Sequence, residues 1–308
     1  MPANLPRPWF WPLACLLALW LGGCASAPPA PTIAQRLDAL LPADVLLLGE
    51  QHDASEHHAL ERDAVQLLAG RGQLAALALE MAPAGSSTRG LGRDASQAQV
   101  QAALQWQGSG WPWADYRPAV MAAVRAGVPV VGANLPQAGL RATMDNRALD
   151  ASLRGPALKA QQQAIRIGHC GLLPEAQIQP MVRIQIARDQ RMAQVLAALA
   201  QSAAGTGQTV LLLAGAAHVD RSRGIPQHLP ANLKVKVVVA SVKYSSLATD
   251  SIATEDRLPA QADAVWSTAA LPPKDYCAAL RAQWAASAAP GLTAPDAAAA
   301  RPTAPPQR

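Results

Sequence analysis

Short apolar runs recur along the chain and are separated by longer stretches with helical periodicity. Each run has the length of a strand buried on both faces, and strands that alternate with helices are typical of a parallel sheet. The pattern therefore predicts an α/β fold, a mainly parallel sheet flanked by helices. The predicted strands are residues 45–48, 75–79, 128–132, 210–214 and 235–240.

Helices are predicted between these strands. Leu60 and Ala64 fall on one face of the stretch that follows the first strand. Asp53, with Glu56 three residues later, resembles a capping box at the start of that helix. A second helix is predicted over 116–126, just before the third strand.

The middle of the chain interrupts the alternation of strands and helices. Residues 137–180 are polar and helix-like without a convincing strand, which predicts a small inserted all-helical lobe. Residues 175–200 are expected to form a helix, interrupted near Pro180, that leads back to the sheet. One domain is predicted over 33–284, followed by an Ala/Pro-rich tail over 285–308 that we expect to be disordered.

Polar residues cluster where the apolar runs end. Gly49 to His52 follows the first strand and Gly215 to His218 follows the fourth, so a strand, a Gly, two residues and a His occur twice. The Gly is expected to let the backbone turn sharply. The carboxyl ends of parallel strands share one edge, where ligand crevices form. The side chains expected in this crevice are Glu50, His52, Glu80, Asn134 and His218.

Such a set supports metal binding or acid/base chemistry. His52 and His218 are candidate metal ligands, and Glu50 and Glu80 are candidate assisting bases. Each motif alone is a weak signal, because a His at such a place is more often a helix-capping or surface residue. The occurrence of two such motifs strengthens the functional interpretation.

The remaining histidines are open to structural interpretations. His57 and His58 point in directions about 100° apart on a helix, so at most one of them is expected in the crevice and the other on the surface. His169, next to Cys170, has either a structural role or a ligand contact.

Four aromatic residues lie close together in the sequence. They form either part of the core or an apolar wall for a flat ligand, and core packing is the favoured interpretation. The residues are Trp106, Trp111, Trp113 and Tyr116.

Composition and charge exclude some functional classes. The 308 residues are 50% hydrophobic and 15% charged, which is typical of a globular protein. The net charge of +5 is spread without runs of Lys or Arg, so it does not indicate a nucleic-acid partner. Neither a Walker loop nor a dinucleotide fingerprint is present in the sequence.

The N-terminus reads as a secretory signal over residues 1–23, with Arg7 before an apolar run at 9–21. The sequence LGGC at 21–24 looks like the lipobox of bacterial lipoproteins, in which Cys24 becomes the acylated first residue. The alternative is an ordinary secreted signal with a Cys at the cleavage site.

Residues 24–32 are expected to form a flexible tether to the membrane. Ala25 after the Cys resembles the sorting signal for the outer membrane. The expected location is therefore an outer-membrane lipoprotein that faces the periplasm or the cell surface.

Cysteine usage agrees with an oxidising compartment. The chain has four Cys, of which Cys15 leaves with the signal and Cys24 is lipidated. Cys170 and Cys277 are expected to pair, because two remaining thiols in such a compartment usually do. The alternative is two separate buried thiols.

Several motifs, in preserved order, resemble the ChaN-like haem-binding lipoproteins of the wider Tiki/TraB and erythromycin-esterase-like superfamily. The motifs are LLGEQHD at 47–53, HH at 57–58, LEM at 79–81, ANLP at 133–136, HCG at 169–171, ARD at 187–189, and AGAAH at 214–218 with GIP at 224–226.

The resemblance implies a parallel sheet with a small helical domain, haem as ligand and a role in iron or haem acquisition. It also implies a homodimer, because members of the family hold stacked haems between two subunits with a Tyr as iron ligand. Tyr116, Tyr244 and Tyr276 do not clearly match that Tyr, so His169 is a candidate axial ligand. The candidate cofactor contacts are His52, His58, Tyr116, His169 and His218.

Two functions from different classes follow. The first is a membrane-tethered protein that binds haem during haem or iron uptake. The second is a metal-dependent hydrolase that uses the two Gly-x-x-His motifs, as the related Tiki proteins do. A haem carrier needs an apolar slot with one or two ligands, whereas the crevice is rich in titratable groups.

Overall fold

The protein is built on a single six-stranded sheet, seen in a computed structural model that describes residues 31–108, 110–243 and 262–287. The strands are β1 Val45–Glu50, β2 Leu74–Pro83, β3 Val130–Asn134, β4 Thr209–Gly215, β5 Val235–Val242 and β6 Ala264–Thr268. All neighbouring pairs are parallel, in the order β3-β2-β4-β1-β5-β6. The predicted α/β fold is confirmed.

Eight α-helices within the described ranges flank the sheet or build the inserted lobe. They are α1 Ile33–Asp38, α2 Ser55–Gly70, α3 Gln97–Ala103, α4 Trp113–Ala126, α5 Leu140–Asp145, α6 Gly155–Gly168, α7 Glu175–Ser202 and α8 Tyr276–Ser287. None of them combines the length and apolar character that crossing a bilayer requires.

The sheet is covered on both faces, which explains the uninterrupted apolar runs of its central strands. Alternate residues of β1 belong to two different core clusters: Leu46 and Leu48 pack in one, and Val45 and Leu47 pack in the other. The first cluster includes residues of α2 and α4, and the second includes residues of α7.

β6 is the strand that sequence reasoning missed. It lies at the edge of the sheet beside β5, and Trp266 and Thr268 are buried while Val265 is exposed. This alternation over five residues lacks the continuous apolar run that revealed the central strands.

The inserted lobe has a core of its own. Leu149 and Ile165 pack against Ile178, Val182 and Ile186 of α7. The predicted interruption near Pro180 is wrong, because α7 is continuous over 28 residues and includes this proline. Pro180 is the sixth residue of the helix, and the apolar residues around it keep the helix packed in the lobe.

The predicted capping box at α2 is also wrong. The N-cap is Ala54, which makes no side-chain capping bond. Asp53 is used elsewhere, since it accepts hydrogen bonds from Lys274 and Tyr276, and Glu56 accepts one from the backbone N–H of Ala269. Both acidic residues therefore hold the C-terminal segment instead of starting the helix.

Several sequence predictions fall outside the described residues. These are the signal over 1–23, Cys24, Tyr244 and all of the tether except Pro31 and Thr32. The boundary predicted at 284 lies within α8, which continues to Ser287, and residues 288–308 are outside the described ranges.

Candidate functional site

The candidate site lies where β1, β2 and β4 end, because β4 stands between the other two in the sheet. Glu50 is the last residue of β1 and pairs in register with Gly215, the last residue of β4. Glu80 lies near the end of β2. The fold therefore brings both Gly-x-x-His motifs and both glutamates to one edge of the sheet.

The first half of the site is centred on Glu50. Its Oε1 lies 2.8 Å from Nδ1 of His52 and accepts a hydrogen bond of 2.7 Å from the Tyr116 hydroxyl. Its Oε2 lies 3.1 Å from Nε2 of His58. Burial alone would raise the pKa of Glu50, but the hydrogen bond from His52 and the imidazole of His58 hold it well below its usual value.

The second half is centred on His218. Its Nδ1 lies 2.5 Å from Oδ1 of Asp189, its Nε2 lies 3.3 Å from Oε1 of Glu80, and the Gln185 amide nitrogen is 3.1 Å from Nε2. The second carboxylate oxygen of Glu80 accepts a 2.7 Å hydrogen bond from the backbone N–H of Gly215. Carboxylates thus face both ring nitrogens of His218.

This arrangement shifts the acid/base properties of the second half. Burial favours neutral imidazole, but the two carboxylates outweigh it and raise the pKa of His218 to about 10. Burial raises the pKa of Asp189 to about 6, whereas the same histidine overcomes burial and lowers the pKa of Glu80 to about 2. His218 therefore holds a proton at neutral pH.

His52 connects the two halves. Its Nδ1 faces Glu50, while its Nε2 is 3.9 Å from Oε2 of Glu80. Burial disfavours its charged form, but Glu50 and Glu80 together raise the pKa of His52. Its side chain is 18% exposed, whereas those of Glu50, Glu80 and His218 are nearly inaccessible.

The glycines of the two motifs are required by close packing. A Cβ on Gly49 would lie 2.4 Å from the Val219 side chain, and a Cβ on Gly215 would lie 2.9 Å from Nε2 of His52. The expected turn is present after Gly215, whose carbonyl accepts a 2.9 Å hydrogen bond from the backbone N–H of His218. Neither glycine has a positive φ, so close approach rather than backbone freedom explains both residues.

The paired histidines of α2 are both buried. His57 is 1% exposed, accepts a hydrogen bond from the backbone N–H of Gln51 and contacts the hydroxyl of Thr268, so it ties the loop after β1 to β6. The expectation that one of the pair is a surface residue is therefore wrong. Burial lowers the pKa of His57 to about 4. His58 faces Glu50, with its ring 4.8 Å from that of Tyr116.

The aromatic cluster is mainly core, as favoured. Tyr116 is fully buried, and Trp106 and Trp113 pack against the same core cluster. Trp111 also contacts the site, because its ring meets that of His52 edge-on at 5.9 Å. Asn134 connects β3 to β2 at the edge of the sheet, because its side-chain amide donates a hydrogen bond to the backbone carbonyl of Glu80.

A disulfide between Cys170 and Cys277 confirms the predicted pairing and joins the lobe to α8. Close to it, Nδ1 of His169 lies 2.8 Å from the Ile165 carbonyl. Next to Cys277 in the chain, Tyr276 donates a 2.9 Å hydrogen bond from its hydroxyl to Asp53. The segment 274–277, called the clasp below, thus connects the lobe to the loop between β1 and α2.

Sequence reasoning missed three residues of this site. Gln185 and Asp189 lie on α7, and Glu61 lies on α2, three residues after His58. Asp189 is part of the ARD motif, to which no role was assigned. Glu61 could have been noticed as an acidic residue on the helix face that carries Leu60 and Ala64.

The candidate ligands for haem iron differ in what their polar atoms contact, since His169 is as buried as His58, with 8% and 7% of their surfaces exposed. Tyr116 is inaccessible and donates its hydroxyl to Glu50, and His58 and His218 are buried against carboxylates. In His52 and His169 the Nδ1 atom already faces a hydrogen-bond partner, a carboxylate or a carbonyl. Such a partner fixes Nε2 as the ligand atom, so these two side chains fit iron ligation.

The fold and the site define a parallel α/β protein with histidine and carboxylate pairs at the strand ends. The chain belongs to the family described as haem-binding uptake, Tiki superfamily, ChaN, which matches residues 36–229. No curated protein sequence matches the chain.

The solved structure of one ChaN protein agrees with this assignment. ChaN of Campylobacter jejuni, which shows cofacial haem binding, is 26% identical with a TM-score of 0.56 over 70% of this chain and 88% of its own. The type III effector HopBA1 is 15% identical with a TM-score of 0.41, over 70% of this chain and 84% of its own.

Proposed function

We propose that this protein binds haem as a cargo in haem or iron uptake. The observation that carries the proposal is membership of the haem-binding uptake family, over more than half of the chain. The similarity to ChaN of Campylobacter jejuni extends over 88% of that protein, which supports a shared ligand as well as a shared fold.

His169 is the proposed iron ligand. Its Nδ1 is held by the Ile165 carbonyl, which leaves Nε2 to bind iron, and Nε2 makes no hydrogen bond with any described residue. His52 is the alternative ligand, beside Trp111.

A haemin titration followed by visible absorption tests both haem binding and the assignment of His169 as the iron ligand. The protein should give a saturable, shifted Soret band, and His169→Ala should weaken binding at least tenfold while His228→Ala does not. Loss of the band in His52→Ala, with His169→Ala unaffected, would move the haem to the sheet edge. If the spectrum shows only the band of free haemin, the proposal is overturned.

A lipid anchor at Cys24 is the proposed attachment to the outer membrane, with the folded domain facing the periplasm or the cell surface. The support is the sequence LGGC at 21–24 and the short tether after it. Cys24→Ser should release the protein from the membrane fraction and abolish labelling by a palmitate analogue. Continued labelling of the variant would exclude this anchor.

Dimerisation around haem is proposed as the working form. The family resemblance supports it, and light scattering tests it: the mass should double when haemin is added. A mass that stays monomeric at saturating haemin would exclude a haem-bridged dimer.

The chain of Glu80, His218 and Asp189 favours a second candidate function, a hydrolase. A buried imidazolium between two carboxylates can donate a proton to a leaving group. Binding of a divalent metal by His52 and His218 would instead require His218 to lose that proton, and the metal would then supply a polarised water. His52→Ala with His218→Ala should abolish metal-dependent cleavage of a chromogenic ester or peptide and leave haem binding at His169 intact.

A further inference from the structure

We propose that Glu50, His58 and Glu61 form a divalent metal site beneath the crevice, separate from His52 and His218. Among the described residues, this is the group whose three ligand atoms lie within 4.8 Å of one another. The proposal does not depend on haem binding.

The backbone places these side chains together. Glu50 ends β1, and His58 and Glu61 stand three residues apart on α2, so they share one face of the helix. All three are buried, with 2%, 7% and 1% of their surfaces exposed. They are therefore directed into the space between the helix and the strand.

Four polar atoms in this space lack hydrogen bonds: Oε2 of Glu50, Nε2 of His58 and both carboxylate oxygens of Glu61. Nε2 of His58 is 3.1 Å from Oε2 of Glu50, but the two atoms do not meet with hydrogen-bond geometry. Each unsatisfied buried polar group costs about 1–3 kcal/mol, and a charged one costs more. Four at one place indicate a missing component.

A proton does not satisfy the whole group. A proton on Glu61 would allow that residue to donate a hydrogen bond to Glu50. Nε2 of His58 would still lack a hydrogen-bond partner. A divalent cation accepts one atom from each residue, and its charge balances two ionised carboxylates beside a neutral imidazole.

The donor set selects the class of ion. Two carboxylates and one imidazole suit borderline ions such as Zn²⁺ or Mn²⁺, whereas Ca²⁺ and Mg²⁺ prefer oxygen alone. Bonds to Zn²⁺ are about 2.0–2.2 Å, so the three ligands would draw closer around the ion. Tyr116 would orient Glu50, since its hydroxyl donates to the other oxygen of that carboxylate.

The test is to refold the full chain from denaturant with Zn²⁺, because a site this enclosed exchanges slowly, and to count bound zinc after gel filtration. One ion per chain is expected, and it should raise the midpoint of thermal unfolding. Glu61→Gln, which keeps the size of the side chain, should lose the ion. Asp63→Asn, on the same helix, should keep it.

Two further variants separate this site from the crevice. His52→Ala with His218→Ala should still hold one ion, and the Co²⁺ visible spectrum should change in His58→Gln. A wild type without zinc, a Glu61→Gln variant that holds as much as the wild type, or loss of the ion in the double histidine variant alone would overturn the proposal. If Glu61→Gln does not fold, the Co²⁺ spectrum of His58→Gln decides.

Discussion

At the scale of single residues, the site is held by side chains that serve two neighbours each. Glu80 accepts the backbone N–H of Gly215 with one oxygen and faces His218 with the other. Glu50 likewise divides its oxygens between Tyr116 and His58. Because every partner is buried, removing one side chain leaves another charge uncompensated, which typically costs about 3–5 kcal/mol.

The first residue-scale prediction concerns His218. Its pKa is about 10 in the folded protein against 6.5 ordinarily, so its stabilising contribution is complete below pH 6.5 and is lost as pH rises through about 10. The free energy of unfolding should therefore fall between these pH values, and His218→Gln should make the slope shallower. Urea titrations at pH 6.5, 8 and 9.5 measure the free energy of unfolding of the wild type and of the variant.

His228→Gln is the matched control for this experiment. Burial lowers the pKa of His228, so its contribution changes below pH 6.5 and leaves the alkaline slope as it is. An unchanged slope in His218→Gln would contradict the assignment of a proton to His218.

A second prediction concerns Gly215. Its substitution by Ala places a Cβ 2.9 Å from Nε2 of His52, so the imidazole must move. Overpacking of this kind typically costs about 1–3 kcal/mol in unfolding free energy. Gly70→Ala is the control: no atom lies within 4 Å of its added Cβ, and it should leave stability equal or slightly higher. Equal stability of both variants would refute the steric account.

At the scale of elements, α7 joins the lobe to the sheet. Ile178 and Val182 pack in the lobe core, while Met192 and Leu196 pack against the sheet. Asp189 lies between these two stretches and contacts His218. The helix therefore places a site residue at the junction of two separate cores.

An element-scale prediction follows for Pro180. A proline inside a helix lacks the N–H of one backbone hydrogen bond and costs up to about 3 kcal/mol relative to Ala. Pro180→Ala should raise the free energy of unfolding by about 1–3 kcal/mol in chemical denaturation. Pro174→Ala, just before the first residue of α7, is the control and should give no comparable gain. A loss of stability in Pro180→Ala would show that the ring packs better than an alanine.

Secondary-structure elements were predictable from the sequence where a short stretch of residues carries the pattern by itself. Five strands were found because burial on both faces leaves an apolar run, and β6 was missed because it alternates. The edge that collects Glu50, Glu80 and His218 also follows from parallel strand ends. The contact of Asp189 with His218, and that of Glu61 with Glu50, were not predictable, because each depends on how a helix packs on the sheet.

At the scale of the whole molecule, the clasp connects three parts of the fold. Cys277 forms the disulfide with Cys170 of the lobe. Tyr276 and Lys274 contact Asp53 next to the crevice. The two cysteines are 107 residues apart, so the disulfide closes a long loop. Closing such a loop restricts the unfolded chain strongly.

The disulfide should accordingly contribute about 2–5 kcal/mol to stability. Replacing Cys170 and Cys277 together by Ser should lower the free energy of unfolding by that amount, as should a reducing agent acting on the wild type. The reducing agent should have no effect on the double variant, which serves as the control. Equal stability of both proteins would mean that the unfolded chain is already restricted.

Cys277 follows all six strands along the chain, which sets an order for synthesis. A chain that emerges N-terminus first presents all six strands before the second sulfur appears, so the clasp closes last. Until then, the contacts of Tyr276 and Lys274 with Asp53 do not exist. A chain truncated before Lys274 would thus keep both histidine motifs and all six strands, but its loop after β1 would lack the contacts with the clasp.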